Sequence, residues 1–146
     1  MIGAIIAKKK ARSGFDSISR HELDTLLADW AEDASFVYPG NLSVSGEMKG
    51  KQAIKEWFGK FIEQFPVSTF RVKNICVQNI FALGGTNVLA VEWDINVKNR
   101  DGEEFQNSGV TVISLKGRRA VLVRDYISDL EVARRAWGEL GKGTAL

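Results

Sequence analysis

The sequence predicts an α+β fold, with helices packed on one face of a mainly antiparallel sheet. Three observations carry this. Before Pro66 the apolar residues recur at helical spacing, and after it they alternate with a period of two. The alternating runs are separated by Gly84-Gly85, Asp101-Gly102 and Lys116-Gly117, each a hairpin turn signal. The chain has 146 residues, 45% hydrophobic and 26% charged. That suits one core, so residues 1–146 read as a single domain with its packed part over about 12–138.

The first predicted helix covers 3–19. Ile2, Ile5 and Ile6 open an apolar face that resumes at Phe15 and Ile18, and Gly14 weakens the helix by about 1 kcal/mol relative to alanine. A break at Arg20-His21 leads to a second helix, 22–32, with Leu23, Leu26, Leu27 and Trp30 spaced i, i+3, i+4, i+7. Glu32-Asp33 closes it, and Ala34–Tyr38 reads as a short strand. Pro39-Gly40 is a turn, and the polar, glycine-punctuated stretch 41–50 reads as a loop. A third helix, 51–65, places Ile54, Trp57, Phe58, Phe61, Ile62 and Phe65 on a wide apolar face and stops at Pro66. Strands at 69–81, 86–98, 105–116 and 119–128 then form a meander. A last helix, 130–138, carries Leu130, Ala133 and Trp137.

Composition removes several classes of function. Cys76 and His21 are each the only residue of their kind, which excludes an internal disulfide, a cysteine metal cluster and any motif needing two histidines. No EF-hand spacing is present, and neither a metal nor a cofactor is expected. Lys8, Lys9, Lys10 and Arg12 give the first twelve residues +4 with no acid, so the remainder sums to −2. That is a poor nucleic-acid footprint, and the lysine run reads first as a solvated helix face. A weaker reading makes residues 8–12 a docking segment for an acidic partner or an anionic surface. No apolar run approaches the roughly 18 residues that cross a bilayer. Met1–Ala7 is too short for a signal core, so the expectation is a cytoplasmic protein with no membrane partner.

Two strands bear on chemistry. In Val88–Lys98 the odd positions Leu89, Val91, Trp93, Ile95 and Val97 are apolar, while Glu92, Asp94, Asn96 and Lys98 are polar. The ordinary reading is a strand with one wet face; the alternative is a polar face lining a pocket. In the last strand Val121, Val123, Asp125 and Ile127 share a face. An aspartate in an aliphatic row must be paired, hydrogen-bonded or protonated, and is either a structural ion pair or an acid/base in a pocket.

Glu22-Leu23-Asp24-Thr25-Leu26-Leu27, Trp30-Ala31-Glu32-Asp33-Ala34, Gly46 through Gly50-Lys51-Gln52-Ala53-Ile54, and Arg124-Asp125-Tyr126 together resemble the SnoaL-like branch of the nuclear transport factor 2-like superfamily. The resemblance implies a cone: a strongly curved sheet wrapped around three helices, enclosing an apolar pocket. Family sites carry over unevenly. The ketosteroid-isomerase-type positions fall on Gly14, Tyr38 and Thr111, all different from that pattern. The epoxide-hydrolase-type aspartates match Asp94 and Asp125, but Glu92 stands where the bridging arginine belongs, and the water-holding pair falls on Phe36 and Tyr38. Three crowded carboxyl groups could not all ionise, which favours a general acid. Similarity to the SnoaL-like cyclases makes Asp125 the acid/base and Tyr38 a hydrogen-bond donor to a developing enolate.

The resulting expectation is a cofactor-independent acid/base enzyme of cyclase, isomerase or hydrolase type. It would act on a small apolar carbonyl or epoxide compound, with Asp125, Asp94, Tyr38 and Glu92 at the site and Trp30, Phe36, Trp57 and Phe61 as lining. The alternative is a non-catalytic ligand-binding or dimerisation module of the same fold. The face Leu89–Val97 has no helix left to cover it if the helices fill the concave side, so a homodimer through the convex sheet face is expected.

Overall fold

The computed structural model describes residues 1–82 and 84–142. In chain order it contains α1 (Ile2–Ser19), α2 (Leu23–Leu27), β1 (Trp30–Tyr38), β2 (Gly46–Lys49), α3 (Lys51–Gln64), β3 (Val67–Val77), β4 (Thr86–Lys98), β5 (Glu104–Lys116), β6 (Arg119–Ile127) and α4 (Leu130–Trp137). A 3-10 turn at Gly138–Gly141 follows. The strands form one open six-stranded sheet in the order β2-β1-β6-β5-β4-β3. Every neighbour is antiparallel except β1 and β6, which run parallel. Bulges between Val72 and Asn74 and between Ser114 and Leu115 help curl the sheet. Its concave side holds the core, where Phe36, Ile54, Phe58, Val91, Trp93 and Trp137 are buried. This is the expected α+β cone.

Several elements depart from the pattern read in the sequence. The second helix ends at Leu27, and Trp30 through Asp33 belong to β1. The cause is long-range: Trp30 pairs with Ala120, whose N–H donates to the Asp29 carbonyl at 2.9 Å, so docking on β6 draws the chain out of the helix. Trp30 points inward either way, which is why helical spacing fitted it. Stretch 41–50 contains β2, an edge strand whose Met48 pairs with Phe36. β3 stops at Val77, and Asn79 turns the chain by accepting the Phe81 N–H at 3.0 Å. His21, with φ 62°, makes the predicted break after α1. Asp129 caps α4 by accepting the Val132 N–H at 3.0 Å.

Two further corrections concern faces. Leu89, Trp93, Ile95 and Val97 point into the concave side and line its cavity, so the apolar row of β4 is interior. The ground offered for a partner sheet over that row is therefore gone. In α1, Phe15 and Ile18 are buried as predicted, but Ile2, Ile5 and Ile6 are exposed. Among the described residues, no helix is long and apolar enough to cross a membrane.

Candidate active site

A cavity of about 870 Å³ occupies the cone. Its walls come from α1, α3, α4 and the concave face of the sheet. Trp30, Phe36, Trp57 and Phe61, the four predicted lining residues, all border it and are all buried, so each is core and wall at once. Their rings interlock: the Phe36 centroid lies 4.8 Å from that of Trp57 and 5.3 Å from that of Phe58, and Tyr38 lies 4.8 Å from Trp57. The Trp57 indole is fixed by donation to the Val44 carbonyl at 2.8 Å.

Asp125 lies in the wall of this cavity. Pairing of β5 with β6 sets Thr111 beside it, and the Thr111 hydroxyl donates to Asp125 Oδ1 at 2.6 Å. Thr111 is held in turn by Trp93, whose indole Nε1–H donates to Oγ1 at 2.9 Å. Indole nitrogen only donates, so the threonine proton is committed to the carboxylate and the relay has one direction. Among the described residues no cation approaches Asp125, and Thr111 is the one side chain that hydrogen-bonds it. Asp125 is intermediate in exposure, and it borders the cavity. Burial pushes its pKa up from the usual 3.8 to about 7, against a smaller downward pull from Thr111.

Tyr38 borders the same cavity. The parallel register Phe36↔Val123 and Val37↔Arg124 sets Tyr38 next to Asp125 on the concave face. The Trp137 indole donates to the Tyr38 oxygen at 3.0 Å, leaving the phenol proton for another acceptor. Burial raises the Tyr38 pKa, the indole hydrogen bond lowers it less, and the Asp125 charge raises it further, so the phenol stays protonated. The arrangement is thus one carboxyl poised between its two forms beside one neutral hydroxyl donor, in an aromatic chamber.

Asp94 and Glu92 do not join them. Both project from the convex face, where Arg71 Nη2 lies 3.1 Å from Asp94 and Lys73 Nζ lies 3.1 Å from Glu92 and 3.6 Å from Asp94. Lys73 and Asn74 hold the Glu92 carboxyl below the usual carboxylate range. The expected crowding of three acids therefore does not form, because a strand sends alternate residues to opposite faces. No arginine is seen to supply the missing bridge among the described residues: Arg71 reaches Asp94 outside the cavity, and Arg100 pairs with Glu63 at 2.9 Å.

Sequence reading missed the three residues that hold the pair: Thr111, Trp93 and Trp137. The signal lay in hairpin arithmetic. Counting back from the Lys116–Arg119 turn pairs Asp125 with Val110, and the bulge at Ser114–Leu115 moves the partner to Thr111. The same bulge turns Val121 out of line and puts Ala120 in the concave row with Val123, Asp125 and Ile127. Gly109 opposite Trp93 was a second signal. A Cβ there would lie 2.7 Å from the indole ring and collide with the Tyr126 carbonyl, so only glycine lets the ring lie across β5 and reach Thr111.

Known proteins agree with this architecture. A Bacillus subtilis protein proposed to be an isomerase superposes with a TM-score of 0.77 at 20% identity, over 95% of this chain and 96% of that one. Bal32a from a soil-derived mobile gene cassette gives 0.71 at 20% identity, over 93% and 96%. A Catenulispora acidiphila protein with a ketosteroid isomerase-like fold gives 0.69 at 14% identity, over 84% and 88%. At such identities the likeness is one of fold. No curated protein matches in sequence. Residues 11–123 match the SnoaL-like domain, and the chain belongs to that family.

Proposed function

We propose that the protein is a cofactor-independent acid/base enzyme acting on a small, mostly apolar carbonyl compound in the cytoplasm. The observation that supports this most is the Asp125 carboxyl in the cavity wall, its pKa pushed up to about 7 by burial with no compensating cation among the described residues, beside the Tyr38 hydroxyl. A group that titrates near ambient pH is suited both to accept and to return a proton. In the proposed reaction Asp125 removes a proton from the carbon next to the carbonyl. The C–H electron pair moves into an enolate, whose oxygen accepts the Tyr38 O–H. The proton then returns either to another carbon, which is isomerisation, or to the alkoxide formed when the enolate carbon attacks a second carbonyl, which closes a ring. Epoxide hydrolysis fits less well, because Asp94 lies on the other face.

Exchange of substrate protons for deuterium from heavy water, followed by NMR over a panel of apolar ketones, tests the reading. The wild-type protein should label the carbon beside the carbonyl, and Asp125→Asn should lower the rate by roughly 10²- to 10⁴-fold while keeping the fold. Equal labelling by the variant would remove Asp125 from the chemistry.

Among the described residues no second carboxyl is hydrogen-bonded to Asp125, which favours a second reading, a binding module without turnover; saturable quenching of tryptophan fluorescence with no labelling by any ketone would support it. Homodimerisation remains part of the proposal on new ground: Val110, Val112, Leu122 and the exposed Tyr126 project from the convex face. Light scattering should then give twice the chain mass.

A further inference from the structure

The cavity mouth has a chemistry that acid/base catalysis does not use. Three segments meet there. The start of α1 lies against the β3–β4 connection so closely that a Cβ on Gly3 would come within 2.9 Å of the Ala82 carbonyl. That connection meets the β5–β6 turn, where the Gly117 N–H donates to the Gly85 carbonyl at 2.6 Å. Ile2, Ile6, Lys10, Ala82, Gly85 and Arg118 all border the same cavity.

Two properties coincide on this rim. The first is charge. Residues 1–12, 78–87 and 116–119 contain seven of the chain's 20 lysines and arginines and none of its 18 aspartates and glutamates. The seven are Lys8, Lys9, Lys10 and Arg12 on the helix and Lys116, Arg118 and Arg119 on the turn, and all are exposed. Only Lys10 has an acidic partner among the described residues, Asp29 at 3.3 Å. The second is uncovered apolar surface. Ile2 is 73% exposed, Ile5 65% and Phe81 72%, with Ile6 and Ile80 also exposed. A soluble surface rarely gathers so many large apolar side chains in one place. Protruding apolar side chains on segments that also carry exposed cations are the pattern of a surface that lies in a lipid headgroup layer.

We infer that the cavity mouth docks on an anionic lipid surface, with Ile2, Ile5 and Phe81 entering the headgroup layer and the basic residues of α1 and the β5–β6 turn facing lipid phosphates. An apolar ligand could then pass between bilayer and cavity without crossing water. This departs from the expectation of no membrane partner, which rested on the lack of a spanning run and says nothing of a surface contact. The inference stands apart from the proposed chemistry, since none of these residues touches Asp125.

Flotation of the full chain with vesicles tests it. The protein should float with vesicles of phosphatidylcholine mixed with phosphatidylglycerol, not with phosphatidylcholine alone, and salt should weaken the association. The double variant Lys8→Glu, Lys9→Glu should bind on the order of tenfold more weakly or worse. Phe81→Ser leaves the charge unaltered and should still weaken binding several-fold. These side chains are exposed, so thermal melting should be unchanged in all variants. Absence of wild-type flotation would overturn the inference. So would full binding by Phe81→Ser, which would mean bare electrostatic adhesion. A drop in molecular mass for Phe81→Ser in light scattering, with no flotation of the wild type, would instead assign the rim to contact between copies.

Discussion

Asp94 and Asp125 are the same residue on strands of one sheet, and their fates differ because of the face each occupies. On the convex face Asp94 has two cationic neighbours, Arg71 and Lys73, within reach of solvent. Such an exposed pair contributes little to stability and has little chemistry left to offer. On the concave face Asp125 has one hydroxyl neighbour, aromatic walls and, among the described residues, no cation, and burial pushes its carboxyl pKa up to about 7. What distinguishes Asp125 from Asp94 is the lack of a counter-charge among the described residues, which keeps desolvation uncompensated.

The contrast can be broken by substitution, beginning with the largest effect. Gly109→Ala drives a methyl group into the Trp93 ring and the Tyr126 carbonyl. It should lower unfolding stability by about 3 kcal/mol, measured in urea, as overpacking does in a filled core. Thr111→Val removes the hydroxyl between Trp93 and Asp125 and strands the indole N–H. The expected loss is about 1–3 kcal/mol, and the Asp125 titration should move further up because its one hydrogen bond is gone. Asp94→Asn, on the wet face, should change stability by less than about 1 kcal/mol and leave ligand binding in the cavity untouched. If Asp94→Asn proved as damaging as Thr111→Val, the two faces would not differ as described.

The Asp125 shift also has a signed consequence for stability. Its folded pKa lies above its unfolded value, so the folded state binds the proton more tightly. The group's contribution is most favourable below about pH 4 and is lost progressively as pH rises to about 7, where it levels off. The full difference is on the order of 4 kcal/mol. Asp125→Asn should therefore melt higher than the wild type at pH 8, with the gap closing toward pH 4.

Much of this fold is written in local pattern. The hairpin turns after Pro66 and the period-two runs locate β4, β5 and β6 within a residue or two, because turn chemistry and alternation act over short stretches. The inward direction of Asp125 follows from its aliphatic neighbours alone. What local pattern does not carry is pairing between distant strands. The parallel docking of β1 on β6 converts residues 30–32 from helix to strand, and nothing near Trp30 announces it. Which side of β4 is concave depends on how the whole sheet curls, so Trp93 was readable as apolar but not as the group that orients Thr111. One extra residue, Val121, opposite Ser114–Leu115 decides which side chain meets Asp125.

The central claim is that Asp125 is a buried, uncompensated carboxyl that exchanges its proton near neutral pH. Carbon-13 NMR of the aspartate side-chain carboxyls across a pH series measures this directly. One aspartate resonance should titrate with a midpoint close to pH 7 and vanish in Asp125→Asn. A spectrum in which every aspartate has lost its proton by about pH 5, in the ordinary carboxylate range, would contradict the account.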